Sequence, residues 1–88
     1  MPEGDSLHRL YYYFANTGFY DLLPAAMQLA IELGYSPEEM IEAVCKVADK
    51  ARHYPPTKNR AAWFATVFRE KLGEARAEML AIKKRRLL

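Results

Sequence analysis

Arg69, Arg76 and Lys83 recur at seven-residue intervals, and Lys83-Lys84-Arg85-Arg86 forms a block of four consecutive bases. On a continuous helix the three share one side, because seven residues make close to two turns. Such an edge can follow a phosphate backbone, with affinity that falls steeply as salt rises. Lys58 and Arg60 add two cations about 30–40 Å away along a straight helix, so they join the same footprint only across a kink. The competing account is that cations near a helix C-terminus oppose its dipole and keep a small chain in solution. Four consecutive bases exceed what capping requires, and an anionic partner is therefore expected.

Other residue types support little chemistry. His8 and His53 have no carboxylate or nucleophile at motif spacing, and one cysteine excludes an intrachain disulfide. Two histidines and Cys45 fall short of a zinc cage, so no metal or cofactor is expected. Cys45 lies on an apolar stripe and reads as a small buried hydrophobe. Glu38, Glu39 and Glu42 cluster, but capping and solvation account for them. Gly4, Gly18, Gly34 and Gly73 are scattered singly, which is no phosphate-cradling loop. The chain does not read as an enzyme. Tyr11-Tyr12-Tyr13-Phe14 is more suggestive. Helical residues turn by about 100° each, so four in a row cannot all face one core. Tyr11 and Phe14 fit the stripe, and Tyr12 or Tyr13 turns outward to stack on a base, anchor an interface or pack on a neighbouring helix.

The 88 residues allow one domain, with 51% hydrophobic and 27% charged residues, the balance of a folded chain. The net charge of +2 conceals a gradient: residues 1–50 carry eight acids and three bases, residues 51–88 ten bases and three acids, net −5 and +7. That polarity suits a polyanion at one end, pairing between chains, or acidic and basic helices that neutralise one another. Charge-free runs reach only about ten residues, too short to cross a bilayer. The acidic start lacks a secretory n-region, and a cytoplasmic address without membrane association is expected.

Four helices must position these groups. Asp5 or Ser6 can cap the first, which runs to about Asn16 with Leu7, Leu10, Tyr11 and Phe14 on one stripe, and Thr17-Gly18 ends it. Asp21 suits an N-cap for the second, with Pro24 in its first turn and Gly34 beyond its end. The broad apolar face from Leu22 to Leu33 predicts a central helix. Ser36-Pro37-Glu38-Glu39 is a capping box that opens a third helix to about His53. Tyr54-Pro55-Pro56-Thr57-Lys58 is a linker, and Asn59 caps a fourth helix carrying Trp63, Phe64, Val67, Phe68, Leu72, Ala75, Met79 and Ile82. Gly73 predicts a kink or a change of role within it. The fold class is all-α, a bundle of about four helices whose last member is long: residues 1–58 form an acidic three-helix part and residues 59–88 a long basic helix.

From about Leu22 to Leu72 the chain resembles the replication-initiation domain of DnaD- and DnaB-like primosomal proteins of low-GC Gram-positive bacteria, their phages and plasmids. The likeness lies in a Leu-rich helix, then Glu39-Met40-Ile41-Glu42-Ala43-Val44-Cys45-Lys46-Val47-Ala48, then Asn59-Arg60-Ala61-Ala62-Trp63-Phe64-Ala65-Thr66-Val67-Phe68. Phe64, Phe68 and Leu72 take the family's aromatic-aliphatic spacing; its closing tryptophan is absent, and the connector from Asp49 to Lys58 is longer. The resemblance implies a helical module that binds DNA and oligomerises, with DNA contact in the segment after the aromatic motif, here Arg69 to Arg86.

The expected function is thus non-catalytic nucleic-acid binding, with Arg69, Arg76, Lys83, Lys84, Arg85 and Arg86 on phosphates and Lys58 and Arg60 as outliers. A protein–protein adaptor competes with it: Ala75, Met79 and Ile82 would pair with a partner helix, a replication protein or a second copy, with Tyr12 and Tyr13 as further interface residues.

Overall fold

A computed structural model describes the backbone of residues 2–87 and the side chains of residues 6–85, and all of its regular elements are helical. α1 spans Pro2–Asn16, a single 3-10 turn spans Tyr20–Leu22, and α2 (Leu23–Leu33), α3 (Pro37–His53) and α4 (Arg60–Leu87) follow. The four-helix, all-α reading with a long last helix holds.

Local chemistry sets most of the boundaries. Gly18 and Gly34 adopt left-handed backbone at φ 83° and 79°. Each closes its helix with the same pair of bonds: Gly18 N–H to Ala15 O and Phe19 N–H to Phe14 O, then Gly34 N–H to Ile31 O and Tyr35 N–H to Ala30 O. A side chain at either glycine would strain that conformation. At the start of α3 the Ser36 hydroxyl accepts from Glu39 N–H while the Glu39 carboxylate accepts from Ser36 N–H, the reciprocal box expected there. Asn59 Oδ1 accepts from Ala62 N–H at 3.0 Å and caps α4.

Two starts differ from expectation. The backbone of α1 is helical from Pro2, so Ser6 is not a cap; its hydroxyl reaches Glu38 Oε1 at 2.7 Å. The side chain of Asp5 lies outside the described residues. Asp21 sits in the 3-10 turn, and α2 begins two residues later without a side-chain cap.

All four phenylalanines meet in one cluster. Phe64 stacks on Phe68 at 5.0 Å, Phe14 meets both edge-on at 6.3 and 6.0 Å, and Phe19 closes on Phe64 at 5.0 Å. Leu10, Val44, Val47 and Leu72 complete the fully buried centre. The central helix is α3, which packs against α4 and α1, rather than α2. Only Leu23, Ala26 and Ala30 of α2 are buried, and Ile31 is 74% exposed. A broad apolar face needs a neighbour on each side to become central, and α2 has α4 chiefly on one. Tyr11 and Leu7 likewise lie at the surface, while Leu10 and Phe14 fill the buried side of α1.

Gly73 does not interrupt α4. The helix is continuous through it, and a Cβ there would meet only the Tyr35 hydroxyl, at 3.9 Å.

Candidate interaction surface

α1 and α3 begin at the same end of the bundle, joined by the Ser6–Glu38 hydrogen bond. α4 runs antiparallel to α3 and ends there, as Arg76 on Glu39 and Lys50 beside Glu70 show. The basic block therefore projects past the starts of α1 and α3. The linker and Lys58 lie at the opposite end. Lys58 is exposed but remote from the block, since 28 helical residues separate the ends of α4 by about 40 Å.

The cations of α4 divide into two groups that their spacing does not distinguish. Arg60 and Arg76 are engaged by groups of this chain, each on one of the two glycine helix ends. Arg60 Nη1 donates to Asp21 Oδ2 at 2.7 Å, its Nη2 donates to Gly18 O, and its guanidinium lies 4.9 Å from the Phe19 ring centre. Arg76 repeats the device: Nε and Nη2 donate to the Glu39 carboxylate at 2.8 and 2.9 Å, Nη2 also donates to Gly34 O, and the guanidinium lies 4.2 Å from the Tyr35 ring. Carbonyls left over at a left-handed helix end thus meet a planar donor that also stacks on the next residue's ring. Lys71 pairs with Glu70 and Glu74.

The second group is Arg69, Lys83, Lys84 and Arg85. All four are exposed, and none makes an ion pair among the described residues. Lys83, Lys84 and Arg85 point in three directions about 100° apart, forming a collar around the helix end rather than a stripe. Arg69 stands roughly 20 Å back along the axis. Arg86 lies outside the described side chains. The expected edge of Arg69, Arg76 and Lys83 is therefore broken at its middle member, because Glu39 occupies Arg76. The idea that the two halves neutralise each other applies to Arg60 and Arg76 and not to the collar.

Apolar groups accompany the collar. Leu80 and Ile82 are 59% and 51% exposed, and Met79 is half-buried. Ala75 is fully buried in the core of this chain, which removes it from any interface with another. Tyr12 is 62% exposed and touches Tyr13 edge-on at 5.4 Å, while Tyr13 is half-buried against the core. Tyr12→Ala is accordingly expected to move stability by no more than about 0.5 kcal/mol. A thermal melt as damaged as that of Phe64→Ala would place the ring in the core.

Cys45 is exposed, not buried, because α1 and α4 leave that flank of α3 open. It lines a cleft of ≈ 660 Å³ with Lys46, His53, Lys71 and Glu74. Partial desolvation and the charge of Glu42 push the thiol upward, away from a reactive thiolate. Lys46 is drawn to Glu78 at 2.7 Å, and His53 Nδ1 lies 3.1 Å from Asp49 O. Among the described residues no three His, Cys, Asp or Glu side chains converge as a metal site. No described helix is long and apolar enough to cross a membrane.

No family model matches the chain, and neither curated proteins nor solved structures match it.

Proposed function

We propose that the chain is a non-catalytic module that holds the phosphate backbone of DNA with the last turns of α4, in the replication setting that its DnaD-like helix pattern implies. The observation that carries this reading is the collar: three consecutive exposed cations at a helix end, without ion pairs among the described residues, while other bases of the same helix are engaged. A helix C-terminus needs one or two cations against its dipole, and the remainder is available to a polyanion. Phosphate contact by Lys83, Lys84 and Arg85, with Arg69 reaching a neighbouring phosphate, carries no base readout and predicts binding without sequence preference.

Three or four such contacts set the salt dependence. The association constant for generic duplex is expected to fall roughly 40- to 150-fold between 50 and 200 mM salt. Replacing Lys83, Lys84, Arg85 and Arg86 by alanine is expected to weaken every sequence alike and to flatten that dependence, as read by fluorescence anisotropy. Binding unchanged in this variant would remove the collar from the mechanism.

A second reading, a protein–protein adaptor, has its own support in the exposure of Leu80 and Ile82 amid the bases. Phosphate binding gives those side chains nothing to pack on. Pulldown with and without nuclease separates the two: nuclease-sensitive recovery favours DNA, and nuclease-resistant recovery of one protein favours the adaptor.

A further inference from the structure

The apolar stripe of α4 outlasts the bundle that covers it. Leu72, Ala75, Met79 and Ile82 recur at steps of three and four and so lie on one side of the helix. Along that line cover is lost progressively: Leu72 and Ala75 are fully buried, Met79 is half-buried and Ile82 is more than half exposed. The loss has a simple geometric cause. α3 has 17 residues and α4 has 28, and with Arg76 opposite Glu39 the long helix continues past the start of α3 by about two to three turns. A groove of ≈ 600 Å³ opens there, with Ser36 and Glu38 of α3 on one wall and Met79, Leu80, Ile82 and Lys83 of α4 on the other.

We infer that this groove receives the same segment of a second copy in an antiparallel, twofold dimer. Charge selects the occupant and the orientation. The groove carries both signs on opposite walls, Glu38 on α3 and Lys83 on α4, so a twofold-related copy sets each Lys83 against the other's Glu38. An antiparallel arrangement also brings the end of each +7 segment, through Lys83, beside the −5 segment of the other chain. A parallel pair would bring two collars together and is opposed by their repulsion. Apolar contact then comes from Met79 and Ile82 of each copy, continuing a core that one chain leaves unfinished. Lys84 and Arg85 point away from the Lys83 side of the helix and stay available to phosphate, so the dimer is compatible with the proposed DNA contact.

Sedimentation equilibrium of the full chain in the absence of nucleic acid tests the inference. At tens of micromolar it is expected to give twice the 10.2 kDa chain mass. Ile82→Asp, at an exposed position, is expected to raise the dimer dissociation constant on the order of 100-fold with an unchanged helical circular-dichroism spectrum. Lys83→Glu alone is expected to weaken the dimer, and Glu38→Lys in the same chain to restore it. A monomer at every concentration, a dimer indifferent to Ile82→Asp, a charge swap without restoration, or doubling only on addition of duplex DNA would each overturn the proposal. The last outcome would leave DNA binding standing.

Discussion

Phe68→Ala unfolds a large share of the molecules at 25 °C, and Phe64→Ala does nearly as much damage. Phe68 is fully buried, stacked at 5.0 Å on Phe64 and edge-on to Phe14 at 6.0 Å. Truncating such a ring costs about 3–5 kcal/mol, from lost burial and the cavity left behind. Domains of this size sit near the lower end of the usual range of about 5–15 kcal/mol, so the loss consumes most of the margin. The cavity cannot collapse readily, because its walls are two further phenylalanines on different helices. Urea titration is expected to show the midpoint falling with little change in slope. A stability within about 0.5 kcal/mol of the parent would mean that the cluster does not hold α1 and α4 together.

The second large effect is acid sensitivity through Glu39. Its side chain is buried, accepts two hydrogen bonds from Arg76 and one from Ser36 N–H, and its carboxyl is held down at about 2. The Arg76 hydrogen bond is the leading cause, opposed by burial. A carboxyl lowered from 4.5 to about 2 on folding stabilises the native state fully above 4.5. That contribution is lost as pH falls from about 4.5 towards 2, where the folded protein also takes up the proton. Partial exposure of the Arg76 head screens the pair, so its size is about 1–3 kcal/mol. Glu39→Gln is expected to remove most of this acid limb in melts between pH 7 and pH 2.5. Glu38 and Glu74, also lowered but exposed, leave a residual slope. Arg76→Ala is expected to be worse than Glu39→Gln at pH 7, because it strands a buried carboxylate and uncaps Gly34 O, whereas Arg76 without Glu39 keeps Gly34 and Tyr35. An acid limb of full size in Glu39→Gln would assign the sensitivity elsewhere.

The two clamps tie the stability of the bundle to the same helix that carries the proposed phosphate contact. One helix supplies Arg60 and Arg76 to lock the ends of α1 and α2, and then continues into the collar. A substitution that tests the proposed phosphate contact must therefore avoid Arg76. Its removal would loosen the bundle, an effect that would mimic a lost phosphate contact.

Features that depend on neighbours within four residues were legible in the sequence. Ser36 with Glu39, Gly18, Gly34 and Asn59 each satisfy backbone groups one turn away, and the pattern alone placed four helices and the Phe64-Phe68-Leu72 stripe. Tertiary structure alone decided which equally placed groups are occupied. Arg69, Arg76 and Lys83 are alike at a spacing of seven, yet only Arg76 meets an acid, 37 residues away on α3. Asp21 has the chemistry of a cap, but the start of α4 brings Arg60 to it from 39 residues away. Cys45 and Ile31 stand on helix faces that no neighbour covers, and Ala75 on one that is fully buried. The physical reason is range. A helical hydrogen bond or cap is closed by residues along one chain segment, so residue type predicts it where no distant partner competes, as Arg60 does for Asp21 and Glu38 for Ser6. An ion pair or a buried face is closed by whichever helix packs alongside, and that depends on lengths and crossings that residue spacing does not encode.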